Sequence, residues 1–229
     1  MIPIRPSLWL ALATASLAGA ARAEATSFQV VLAGSVLGTV DYETDGGRPA
    51  LLRSNLDNTP LGVLNGTWQA GSQPVRTSEG VDAVQFQAVT ASSRKNRTIT
   101  FLHADGRVLT VQVDPAEDAT ELSDAAQVPA GVLDPVEAFG RLFETQGCPE
   151  AFRLYDGRRV VEVTPAGAEE ANGLLTCDMD YEVVAGPGHL SPFRFRSFDL
   201  TLTYVRTDGG PVLAEVDVSA GPFTVRLRR

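Results

Sequence analysis

Phe198-Asp-Leu-Thr-Leu-Thr-Tyr204 alternates apolar and polar residues without a break. That is the signature of a strand with one face on a core and the other in water. Thr207-Asp-Gly-Gly210 then marks a turn. A second run sets Ala214, Val216 and Val218 against Glu215 and Asp217. Gly221-Pro222 turns the chain again, and Phe223, Val225 and Leu227 alternate with Thr224, Arg226 and Arg228. Three strands joined by short turns predict an antiparallel meander.

The same pattern extends toward the N-terminus. Phe28–Leu32 and Val36–Tyr42 flank Ala33-Gly34-Ser35, and Asp45-Gly46-Gly47 marks the next turn. Ala83–Val89 and Thr98–His103 read as strands, with Asp105-Gly106 turning the chain into Arg107–Val113. Residues 53–66 carry both turn and apolar signals. Residues 114–131 are acidic, rich in alanine and weakly patterned, which predicts a surface loop with at most one short helical turn. One helix interrupts the strands. Asp134 suits the N-cap, Pro135 the first helical position, and Glu137 completes a capping box. Val136, Phe139, Leu142 and Phe143 share a face, and Gly147 is placed to end the helix. The expected fold is mainly β (α+β): an antiparallel, strongly curved sheet or half-barrel of about ten strands, with one main helix near 134–146. Phe139, Leu142 and Phe143 are then expected to plug or line the concave face. Aromatic residues are 7% of the chain, too few for the two interfacial girdles of an outer-membrane barrel.

Residues 1–23 read as a secretory signal peptide. Arg5 supplies the basic region, Leu8–Leu17 the apolar run, and Ala21-Arg22-Ala23 the small-residue cleavage site. A short membrane anchor is the competing reading, but the run falls well below the roughly 20 residues that a spanning helix needs. Cleavage after Ala23 leaves one β-rich domain, residues 24–229, in the periplasm. Removing Arg5 and Arg22 leaves 17 basic against 28 acidic residues, a net charge of −11. A domain so acidic is a poor ligand for nucleic acid or for an anionic membrane surface. It suits a cationic partner, or the charge serves solubility alone.

Cys148 and Cys177 are the only cysteines. In an oxidising compartment a disulfide is the default, stabilising by about 3–4 kcal/mol for a loop of this length. A redox pair usually has C-x-x-C spacing, and a metal site needs nearby histidines. The two histidines, His103 and His189, both fall near turns. No H-E-x-x-H, G-x-S-x-G, P-loop or dinucleotide fingerprint occurs, so no catalytic, cofactor or metal residue is assigned. Asp178 and Asp180 share a strand face that suits a cation or simply water. Tyr155, Asp156, Arg158 and Arg159 place an aromatic, an acid and two arginines within five residues. They read as a weak surface site, or as a hairpin around an Asp-Gly type I′ turn.

Four segments resemble a known family. They are L-D-P-V-E-A-F at 133–139; Cys148 with L-Y-D-G-R-R at 154–159; G-L-L-T-C at 173–177 with Tyr181; and Phe28-Gln-Val-Val-Leu-Ala-Gly34 with Gly38. Together they resemble the exported bacterial family called domain of unknown function 3108. The match is close over 130–229 and looser over 24–113. The resemblance implies a periplasmic, strand-rich domain without a known reaction, similar to the half-barrels of lipoprotein carriers. It supplies no catalytic residue and no cofactor. The expected function is therefore non-enzymatic: binding of a lipid, or of a lipidated or apolar ligand, in envelope maintenance. The alternatives are a protein–protein scaffold of the envelope or, less well supported, a hydrolase of envelope polymers. The expected partner is a lipid or an envelope protein, and the chain itself is expected to be a monomer.

Overall fold

Neighbours in the sheet are almost everywhere neighbours in the chain. The computed structural model describes residues 23–59, 65–93, 95–143, 146–189 and 194–229; the expected signal peptide lies outside these apart from Ala23. The N-terminal half contributes β1 (Glu24–Leu32), β2 (Ser35–Asp45), β3 (Arg48–Leu56), β4 (Gly66–Arg76), β5 (Asp82–Ser92), β6 (Asn96–Ala104) and β7 (Arg107–Asp114). The C-terminal half contributes β8 (Val132–Leu133), the helix α1 (Pro135–Gly140), β9 (Phe152–Tyr155), β10 (Val160–Ala171), β11 (Leu174–Ala185), β12 (Ser197–Thr207), β13 (Gly210–Ala220) and β14 (Phe223–Arg228).

All fourteen strands belong to one sheet in the order β7-β6-β5-β4-β3-β2-β1-β14-β13-β12-β11-β10-β9-β8. Each half is a meander, and the halves join where β1 pairs antiparallel with β14, Gln29 opposite Arg228. Among the described residues only the β8–β9 pair is parallel, and α1 makes that crossover. The mainly β, curved architecture is thus as expected, with fourteen strands among the described residues instead of about ten. The unexpected ones include β3 and β4. Pro49 and the adjacent Leu51-Leu52 break alternation in β3, and Gly66, Gly71 and Pro74 do so in β4.

The sheet curls until its two outer strands, β7 and β8, face each other across a seam. Residues 115–131 bridge it as a strap. Instead of a loop with one helical turn, the strap makes three short 3-10 turns, at Ala116–Asp118, Glu121–Ser123 and Ala125–Gln127. Asp118 ties it to β6, with Lys95 Nζ and Arg97 Nε each 2.6 Å from its carboxylate. Burial opposes its charge, but the hydrogen bonds from Lys95 and Arg97 outweigh that and hold its pKa below the usual range. Across the seam, Arg158 Nε donates to the Asp118 carbonyl at 2.6 Å, and the Tyr155 hydroxyl donates to the Leu122 carbonyl. Gly106 O accepts from Gly131 N at 2.8 Å. The β9–β10 turn packs directly on β6: a Cβ at Gly157 would lie 2.2 Å from Ile99 Cγ2. Only glycine permits that approach, and only glycine adopts its φ of +92° without strain.

The concave face holds two apolar clusters. One gathers Phe28, Val161, Met179, Leu202 and Tyr204; the other gathers Tyr42, Phe86, Phe101, Tyr155 and Val160. Helix α1 sits between them. It is shorter than the expected 134–146. After Gly140 the bonds tighten to Phe139 O–Leu142 N and Gly140 O–Phe143 N. The Leu142 carbonyl, which a longer helix would use, instead accepts from the Tyr204 hydroxyl at 2.9 Å. Residues 144–145 lie outside the described set. Gly140 also lets the helix lie close to the sheet, since a Cβ there would come within 2.5 Å of Pro49 Cγ.

Candidate functional site

The expected plug residues lie inside the curl. Leu142 is buried in the first cluster, and Phe139 and Phe143 are partly buried against both. Phe143 stacks on Tyr42 at 4.7 Å between centroids, and Phe139 meets Phe28 edge-on at 6.4 Å. They join the two clusters and fill the middle of the concavity. The disulfide forms between Cys148 and Cys177 with Sγ atoms 2.02 Å apart. It fastens the chain after α1 to β11, beside an open groove of about 600 Å³ lined by Leu133, Arg141, Glu150 and Phe152. A second open groove, about 760 Å³, lies near β7 among Val81, Leu109, Arg107 and Val128.

Two polar clusters are buried within this frame. The first caps α1. Asp134 is fully buried and His103, near the end of β6, is 5% exposed. Asp134 Oδ1 accepts from Val136 N at 2.8 Å and Glu137 N at 2.9 Å. Its Oδ2 takes the Ser72 hydroxyl at 2.7 Å and lies 3.1 Å from His103 Nε2. Glu137 Oε2 accepts from Asp134 N at 3.3 Å and stands 3.8 Å from the same imidazole nitrogen. Burial pulls the His103 pKa down, but its bond to Asp134 and the charges of Glu137 and Asp134 raise it overall. Burial and the Asp134 charge push the Glu137 pKa up. Ser, His and Asp meet here without forming a nucleophilic relay. In such a relay the serine donates to the imidazole, whereas Ser72 and His103 share one carboxylate oxygen.

The second cluster is at the β9–β10 turn. The expected weak surface site over Tyr155, Asp156, Arg158 and Arg159 is largely internal: Tyr155 is fully buried and Arg159 is 8% exposed. The turn spans four residues, 156–159, instead of the two of a type I′ hairpin, because Asp156 Oδ1 accepts from both Arg158 N and Arg159 N at 3.0 Å. Arg159 Nε lies 2.9 Å from Asp156 Oδ2, an ion contact without an aligned hydrogen bond. Its Nη1 is buried with no hydrogen-bond partner among the described residues. The Arg159 charge acts on two groups of the neighbouring strand and the chain after it, Tyr181 of β11 and His189 beyond it. Their side chains bond, Tyr181 Oη to His189 Nε2, at 2.8 Å. Burial and the Arg159 charge bring His189 down to about 4, so the imidazole is neutral near pH 7, and burial raises Tyr181. Phe198 packs on both rings, at 5.5 and 5.7 Å, and Phe195 packs on Phe198.

Sequence reading picked out Arg159 but missed its setting. Tyr181 and His189 join it only because β10 and β11 are paired and the chain returns beyond Gly186. Asp134 and Glu137 are legible as a capping box, but no local signal brings in Ser72 and His103 from β4 and β6. Asp178 and Asp180 lie exposed on the outward face as expected, with Asp180 directly opposite Asp199. Glu182 and Asp217 share that face, which also carries the exposed Leu174 and Val205 opposite each other.

The chain matches no protein-family model, no curated protein and no solved structure. The disulfide is compatible with an exported protein. Among the described residues no helix is long and apolar enough to cross a membrane.

Proposed function

We propose that this is a non-enzymatic periplasmic protein that holds an amphipathic anion, such as a fatty acid, by its acidic head at Arg159. The observation that carries the reading is the buried Nη1 of Arg159 without a partner. A buried polar group left unbonded costs about 1–3 kcal/mol, and more when charged, and such groups in native proteins commonly mark a missing water or ion. A carboxylate or phosphate suits a guanidinium in charge and geometry. Tyr181 and His189 add polar atoms close by, and Phe195 and Phe198 offer aromatic surface to the apolar part. Because Phe139 and Phe143 occupy the middle of the concavity, the ligand belongs at this end of the curl and not beneath α1. The reading agrees with the resemblance to the exported family of unknown function.

The test uses the mature protein, a dansylated long-chain fatty acid, and native mass spectrometry after mild purification. Micromolar binding is expected, weakened at least tenfold in Arg159→Met. If the protein takes up no fatty acid or envelope lipid, or binds equally well in that variant, the reading fails.

A second reading, an envelope scaffold with a cationic partner, is supported by the outward face. Like charges directly opposite in a sheet are destabilising, yet Asp180 faces Asp199. Such a partner would be captured from envelope extract at low salt and released as salt rises. Capture unchanged by Asp199→Asn or by salt would overturn it.

A further inference from the structure

We propose that His103, Asp134 and Glu137 form a binding site for one divalent transition-metal ion of the zinc type. The three ligand atoms come from different parts of the fold: the end of β6, the junction of β8 with α1, and the first turn of α1. They lie within 4.8 Å of one another. Bonds of about 2.0–2.2 Å from one ion span pairs separated by up to roughly twice that length, so closure needs shifts of a few tenths of an ångström.

The donor chemistry is selective. One imidazole with two carboxylates suits zinc and its neighbours, whereas magnesium and calcium prefer oxygen alone. The site is also pre-oriented. Asp134 Oδ1 is committed to the two cap N–H groups, which leaves Oδ2 turned toward His103. The Ser72 hydroxyl holds Oδ2 from behind at 2.7 Å, the kind of outer bond that fixes a liganding carboxylate.

The capping box accounts for Asp134 and Glu137 together. It does not account for a buried imidazole placed against both. Among the described residues no lysine or arginine lies within 4.0 Å of either carboxylate; the Arg141 charge acts on Glu137 from farther away, so a cation there answers two acids whose direct ionic contact is one histidine. Access is from the Glu137 side, whose side chain is 28% exposed while those of Asp134 and His103 are 0% and 6%. Three protein ligands leave a fourth position to water.

The experiment uses untagged mature protein, stripped with a chelator and titrated with Zn²⁺ by calorimetry; Co²⁺ serves as the spectroscopic probe. The expected result is one ion per chain at micromolar affinity or tighter, a higher Tm with Zn²⁺, and Co²⁺ absorption bands of a nitrogen–oxygen site. His103→Asn and Glu137→Gln should each weaken uptake at least tenfold. Glu137→Gln keeps an oxygen to accept from Asp134 N, so circular dichroism should show it folded. Absence of Zn²⁺ uptake by the wild type overturns the site. So does uptake that both folded variants retain unchanged, which would place the ion on exposed carboxylates. Neither result bears on fatty-acid binding at Arg159.

Discussion

The two buried polar clusters solve the same problem in opposite ways. At α1, the Asp134 carboxylate accepts from two cap amides and Ser72 and meets His103. At the β9–β10 turn, Arg159 carries a charge into the interior with one ion contact and a bare Nη1. The first cluster holds structure together: strands β4 and β6 are fastened to the helix through one residue. The second stores an unmet demand. Stability should therefore depend strongly on the first cluster and weakly on the second, with binding of the amphipathic anion divided the other way.

Removing Asp134 should have the largest effect. Asp134→Ala strands two amides, a hydroxyl and an imidazole in the interior, and a loss of about 3–5 kcal/mol is expected from urea unfolding. A loss under 1 kcal/mol would show that water replaces the hub. Phe139→Ala supplies the apolar reference between the clusters. It should cost about 3 kcal/mol, at the lower end for a buried phenylalanine because the ring is only partly buried. A clearly smaller loss would place α1 loosely against the sheet.

Acid should act on the second cluster. His189 titrates near 6.5 when unfolded and at about 4 when folded. A depressed folded pKa means that its stabilising contribution is complete above pH 6.5 and is lost as pH falls toward 4. A loss of about 1–3 kcal/mol over that window is expected, reduced in His189→Asn; identical pH profiles would remove the imidazole from the account. Arg159→Met should have the smallest effect and the opposite sign. Exchanging a buried charge with one ion contact and unbonded nitrogens for a side chain of similar length should leave the unliganded protein unchanged or about 1 kcal/mol more stable. A loss above 2 kcal/mol would show that the Asp156 contact is structural.

How much of this was legible depended on whether the determining contacts were local. The β12–β14 meander and the α1 cap follow from neighbours a few residues apart, as in Phe198–Tyr204 and Asp134–Glu137. The helix end did not, because Tyr204, 62 positions away, takes the Leu142 carbonyl. Strands β3 and β4 are hidden by Pro49, Pro74, Gly66 and Gly71, whose strand conformation is imposed by flanking β2 and β5. The candidate sites were the least legible. Ser72, His103 and Asp134 meet only because the sheet curls, and an arginine bound for the interior looks the same in sequence as one bound for water.

The pairing of β1 with β14 has one more consequence. Arg229 Nη2 donates to Thr26 Oγ1 at 2.8 Å, so the two ends of the domain lie side by side, while the strap over 115–131 is where the strand order breaks. Joining residue 229 to residue 23 with a short linker and opening the chain within the strap would give a circular permutant. Its strands would run β8 to β14 and then β1 to β7, with every antiparallel pair consecutive in the chain. The long-range closure that the natural order requires would become a local hairpin, and such contacts form faster as their sequence separation falls.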